Sequence, residues 1–184
     1  MTLQLLFVQG AGEGTYDQWD NKLVESLESE LGSGCSIQYP RMPNEDDPRY
    51  TTWKAALIDE CKSLHDGAIL AGHSLGGAFL LHMLAEARLP FRPRALILIA
   101  APFMGEGGWQ SEEIKPRPDF AEHLPAGLPI FLYHGTEDQI VPFAHAKLYA
   151  QAIPQAVVRA LPRGDHQLDN DLAAVARDIR SLVV

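Results

Sequence analysis

Apolar residues along this chain fall into short, nearly continuous runs, separated by longer stretches with helical spacing. The runs lie near residues 3–8, 35–39, 68–72, 95–100, 129–134 and 156–161, and their length suits strands buried on both faces. Between the first two, Trp19, Leu23, Leu27 and Leu31 recur every fourth residue and stop at Gly32, which predicts an amphipathic helix ending at a glycine. Trp53, Leu57, Cys61 and Leu64 predict a second helix in the same way. Both stripes read as core-facing. The stretch after Ser74 is apolar nearly all round, as a centrally buried helix requires. Residues 143–152 and 168–183 complete the alternation, the latter with Leu168, Leu172, Val175, Ile179 and Leu182. Strands alternating with helices predict an α/β class: three layers, with about six mostly parallel strands between helices on both faces, in a single domain over 1–184. Residues 102–129 break the pattern. Gly105, Gly107, Gly108, Pro116, Pro118 and Pro125 are too many breakers for a long helix and predict a short, flap-like insertion.

Chemistry enters at the third run. Gly72-His73-Ser74-Leu75-Gly76 is the G-x-S-x-G pattern of a nucleophile elbow, which holds a serine on a sharp strand-to-helix turn. The turn strains a residue that has a β-carbon and brings the chain close to its neighbours, so glycines at 72 and 76 remove side chains that would collide. The new helix then points its unpaired N–H groups at the serine hydroxyl. Asp138 lies in the loop beyond the fifth run, and His166 in the turn after the sixth, so all three follow strand ends, where open α/β sheets place their chemistry. Glu137 and Asp165 compete with Asp138 as the carboxylate that orients the imidazole. His73 flanks the serine and is expected to face away from it, toward the sheet; His134 ends a strand and reads as structural. His65, His82, His123 and His145 have no companion motif. No zinc or calcium pattern occurs, so no metal is expected. Gly10-Ala11-Gly12-Glu13-Gly14 lacks the spacing of a dinucleotide loop, so no cofactor is expected either.

Taken together, the elbow, the G-x-x-D-x-x-V-P loop at Gly135–Pro142 and the terminal Gly-x-His at Gly164–His166 resemble the α/β-hydrolases, whose triad follows the order serine, acid, histidine. The segment Tyr39-Pro40-Arg41-Met42-Pro43, followed by Trp53 and Leu57, is similar to that of the small lidless serine hydrolases related to retinoblastoma-binding protein nine. That resemblance implies a Ser74, Asp138 and His166 triad and the strand order 2-1-3-4-5-6. It also implies an oxyanion hole from the N–H of Leu75 and one N–H of the first loop, Ala11 first and Gly12 second. Where such hydrolases often carry His-Gly, this chain has Gln9-Gly10, which leaves the backbone donor in place. Phe103, Met104 and Trp109 stand beyond a strand end, where they either line an acyl pocket or cover the sheet edge.

With 184 residues, 46% of them hydrophobic, one packed core is affordable within a single domain. A formal net charge of −9 opposes nucleic acid and anionic membranes. Its densest acidic run, Glu45-Asp46-Asp47, reads as a solvated loop. Cys35 and Cys61 have no disulfide or metal spacing, the chain enters a strand without a leader-like segment, and no run approaches a membrane span. These features predict a soluble cytoplasmic protein. The expected activity is that of a serine hydrolase, a carboxylesterase for small or short-acyl substrates; an amidase, thioesterase or peptidase would share the triad. The reading from another class is an interaction protein that keeps the fold with weak catalysis. For the hydrolase the expected partner is a small-molecule substrate, and nothing in the pattern points to a protein partner.

Overall fold

A computed structural model describes residues 2–116 and 119–183. Pro118 of the 102–129 segment therefore lies outside the described residues. Six strands form one sheet: β1 (Leu3–Val8), β2 (Cys35–Gln38), β3 (Ile69–His73), β4 (Ala95–Ile99), β5 (Ile130–Gly135) and β6 (Val157–Leu161). Their order is 2-1-3-4-5-6, every pairing parallel. Alternate residues feed two cores, because successive side chains of a strand point to opposite faces. Leu6, Val8, Leu70, Leu96 and Leu98 join one; Leu5, Phe7, Ile69, Ala71, Ile97 and Ile99 join the other.

Among the described residues five α-helices cover the two faces: α1 (Asn21–Leu31), α2 (Tyr50–Glu60), α3 (Ser74–Glu86), α4 (Ala144–Ala152) and α5 (Ala173–Ser181). Leu23 and Leu27 of α1 pack with Val175 and Ile179 of α5 on one face. Trp53 and Leu57 of α2 and Phe79 of α3 pack on the other, with the Trp53 and Phe79 rings edge to face at 5.4 Å between centroids. Trp19 departs from the stripe expected of it and is 50% exposed. A π-helical turn, Thr15–Asp20, precedes α1, and its wider winding takes Trp19 out of phase with Leu23 and Leu27. Among the described residues of the 102–129 segment the one helical element is a short 3₁₀ turn, Phe120–His123, and Ile114, Phe120, Leu124 and Leu128 are buried in the core that α3 joins. Among the described residues no helix is long and apolar enough to cross a membrane.

Register brings the site together. Val8 pairs with Gly72, so the loops leaving β1 and β3 start side by side. Their backbones then meet with no room for side chains: a β-carbon on Gly76 would sit 2.0 Å from the Gln9 carbonyl oxygen, and one on Gly72 would sit 2.7 Å from the Gly77 nitrogen. Both atoms struck belong to backbone that cannot step aside. Gly76→Ala is therefore expected to lower stability by about 2 kcal/mol or more, read as an earlier midpoint in urea unfolding. An unchanged midpoint would show that the two loops are free to part.

Candidate active site

Ser74 opens α3 with φ 48°, in the left-handed region, while His73 before it is extended. For a residue with a β-carbon that conformation costs about 1–3 kcal/mol, and the packing of Gly72 and Gly76 enforces it. Ser74 is 8% exposed and borders a cleft of about 720 Å³, lined also by Ala11, Leu75 and His166. Among the described residues the Ser74 hydroxyl makes no hydrogen bond.

His166 borders the same cleft. Its Nδ1 lies 2.8 Å from Asp138 Oδ2, leaving Nε2 for the cleft. Asp138 is fixed in turn by its loop: Oδ1 accepts the N–H groups of Ile140 at 2.8 Å and Val141 at 2.9 Å. His134 Nε2 donates to the Val141 carbonyl at 2.7 Å and approaches Asp138 Oδ2 at 3.3 Å. Burial alone would raise the Asp138 carboxyl, but the hydrogen bonds of His134, His166 and Val141 and the charge of His166 hold it well below the usual carboxylate range. Glu137 and Asp165 are exposed at the cleft margin, and Asp165 accepts the N–H of Asp169, so neither orients His166. For His166, burial lowers the pKa below the ordinary histidine value; the hydrogen bond to Asp138 opposes this and the His73 charge adds to it.

The loop after β1 supplies a donor by elimination. Gly10 donates its N–H to Asp20 Oδ2 at 2.7 Å, and Gly12 to the Glu45 carbonyl at 2.6 Å. Among the described residues the Ala11 N–H has no protein acceptor, and Ala11 borders the cleft. Leu75 borders it too, in the first turn of α3, where N–H groups have no intrahelical partner.

Polar pins hold this loop. Glu45 accepts hydrogen bonds from Gly14 N and Tyr16 N through its carboxylate, at 3.1 and 3.0 Å, and from the Gln9 amide. Gln9, fully buried, also accepts the Met42 N–H at 3.0 Å. Gln9 thus ties the loop to the Met42-Pro43 turn, itself tied to α2 by the Trp53 indole on the Pro43 carbonyl at 2.6 Å. The expectation that Glu45 belongs to a solvated acidic run is corrected: it is half-buried and structural, while Asp46 borders the cleft. His73 does face away from Ser74, toward Asp20 at 2.9 Å rather than into the sheet. Asp20 was not legible as a site residue, for nothing near it in sequence marks a buried acid.

Of the three residues expected to line an acyl pocket, Trp109 borders the cleft at 36% exposure. Phe103 turns edge-on to Tyr149 at 5.1 Å, and Met104 is buried in the core. The structure gives these two to packing. Trp19 and Ile140, both exposed, share the rim with Trp109. Glu13, Asp46, Glu137 and Asp165 add four carboxylates to the lining, and among the described residues no lysine or arginine joins them. The described residues hold no histidine, cysteine or carboxylate cluster suited to a metal ion.

The fold has counterparts among known proteins. YdeN of Bacillus subtilis (strain 168) is 26% identical over 173 residues, covering 93% of this chain and 89% of that protein. The crystal structure of the B. subtilis ydeN gene product superposes with a TM-score of 0.72 at 23% identity, covering 99% of both chains. Est1E from Butyrivibrio proteoclasticus gives a TM-score of 0.71 at 16% identity over 99% of this chain and 86% of that one. XC6422 from Xanthomonas campestris, described as an α/β serine hydrolase without lid, gives 0.65 at 17% identity over 98% and 80%. The profile of the alpha/beta hydrolase family matches residues 5–184, and the chain belongs to that family.

Proposed function

We propose that this hydrolase-family protein is a serine hydrolase acting on esters of small or short-chain acids through an acyl-enzyme. One observation carries the reading: a single cleft holds a serine at a helix N-terminus, an imidazole oriented by a buried carboxylate, and a backbone N–H with no acceptor. Ser74 attacks the carbonyl carbon while His166 Nε2 takes its proton, then returns it to the leaving group. Asp138 holds the tautomer with Nδ1 protonated and stabilises the imidazolium. The Leu75 and Ala11 N–H groups receive the oxyanion, each contributing about 3 kcal/mol if typical. Water repeats the sequence to release the acid. Amides and thioesters share this chemistry, and the cleft decides between them. No part of the scheme calls for a cofactor.

Substrate preference follows from the lining. Ile114, Phe120, Leu124 and Leu128 of the short 102–129 segment pack into the core beside α3, so among the described residues no tunnel covers a long acyl chain, and Trp19, Leu75, Trp109 and Ile140 offer limited apolar wall. Four marginal carboxylates repel an anionic substrate.

The tests are kinetic. Ser74→Ala and His166→Ala are each expected to lower kcat by about 10⁴–10⁶, and the double variant by little more, since the two act as a unit. Multiplicative losses would contradict the assignment. Asp138→Asn is expected to lower kcat by about 10⁴ through the wrong imidazole tautomer, with Glu137→Gln and Asp165→Asn mild beside it.

Because the base must be neutral and burial favours that form, the acid limb of kcat/KM is expected below about pH 6.5, the ordinary histidine value. Activity falls as pH drops through the folded-state value. A midpoint above 6.5 would contradict the reading of His166.

Across p-nitrophenyl esters, kcat/KM is expected to peak below eight carbons, and Trp109→Ala to shift that peak. An otherwise matched acyl group ending in a carboxylate is expected to react at least about tenfold more slowly, the gap narrowing with salt. A maximum at eight carbons or beyond, or no penalty for the anion, would contradict this account of the cleft.

A further inference from the structure

The serine hydrolase reading leaves unused a second buried histidine–aspartate pair, whose His73 lies at the floor of the cleft. His73 and Asp20 have side chains 2% and 0% exposed, with His73 Nδ1 2.9 Å from Asp20 Oδ2. His73 Nε2 lies 3.0 Å from the carbonyl oxygen of His166. A carbonyl oxygen and a carboxylate both accept and do not donate, so satisfying both contacts requires a proton on each ring nitrogen. Asp20 Oδ2 meanwhile receives the Gly10 N–H, and Oδ1 receives the Gln167 amide at 3.1 Å. The pair thus joins the ends of β1, β3 and β6, which carry the oxyanion-type donor, the serine and the catalytic imidazole.

We propose that His73 is a constitutively charged positioning residue: an imidazolium, held between Asp20 and the His166 carbonyl, that locks the Gly10 loop to the His166 turn and keeps His166 uncharged. Its ring centroid lies 4.7 Å from that of His166, close enough for its charge to oppose protonation there. Burial works against charge on His73, but Asp20 and the His166 carbonyl outweigh it and raise its pKa. Asp20 responds in kind: burial would raise it, and His73, Gly10 and Gln167 together bring it below the usual range. Other titratable groups face this cluster. Tyr39, half-buried after β2, lies near enough to Asp20 that burial and then the Asp20 charge raise its hydroxyl pKa and keep it neutral. Asp138, backed by His134, touches His166 from the β5 side, and Glu13, Asp46, Glu137 and Asp165 lie at the solvated cleft margin.

This role rests on the hydrolase reading for its kinetic readout, while its protonation state can be observed without activity. In the intact protein at pH 8, nitrogen-15 NMR of the imidazoles is expected to show both His73 nitrogens protonated. A bare nitrogen on His73 would overturn the proposal whether or not the protein hydrolyses anything, whereas a charged His73 in a protein inert to all esters would sink the hydrolase reading alone.

The second arm uses His73→Gln, which keeps an N–H for the His166 carbonyl but leaves Asp20 unpaired. The acid limb of kcat/KM is expected to move up by about one pH unit, on the scale of a single nearby charge. Adding Asp20→Asn removes the stranded negative charge and is expected to bring the limb back toward that of the parent protein. A part confined to packing would lower kcat without moving the limb, and the double variant would then be worse than the single. Either result would overturn the proposal.

Discussion

The backbone contact between the elbow and the first loop governs the rest of the site. Gly76 and the Gln9 carbonyl are so close that no β-carbon fits between them, and Gly72 and Gly77 close the turn from inside. That contact leaves Ser74 in its left-handed conformation and brings the first turn of α3 beside Ala11. The parallel register of β1 and β3 makes the approach possible, because both strands end at the same level. The strain at Ser74 is small against the burial of α3, whose residues from Gly76 to Leu84 are all inside. A strained serine at the cleft is thus held by an element that cannot shift without opening the core.

Polar groups then fix what packing alone would leave loose. Glu45 and Gln9 hold the first loop to the turn after β2, and Asp20 reaches from the start of α1 to both Gly10 and Gln167. These partners are expensive to bury alone, and each is satisfied several times over. Their effect is selective: the loop's N–H groups at Gly10 and Gly12 are consumed, and Ala11 remains.

Much of this was legible in the sequence, and the reasons are local. Strands buried on both faces leave continuous apolar runs, so all six were located to within a residue or so, and the elbow declared itself through glycines that have no substitute. Asp138 stood out from Glu137 only by position in the loop, yet its two backbone hydrogen bonds show why that position suits a fixed carboxylate. What escaped was long-range. Asp20 sits in a helical pattern like any surface acid, Glu45 is masked by its acidic neighbours, and a π-helical turn moves Trp19 from the core to the cleft. Phe103 and Met104 were placed correctly past a strand end, but their direction depends on Tyr149 and the α3 core, which no spacing reveals.

The central claim is that this geometry makes Ser74 a nucleophile rather than a remnant in a binding protein of the same fold. A fluorophosphonate reacts with an activated serine and leaves a covalent adduct whose position mass spectrometry can read. Stoichiometric labelling at Ser74, abolished in a folded His166→Ala variant, is the expected result. A folded protein that takes up no label, or takes it at another residue, would contradict the account.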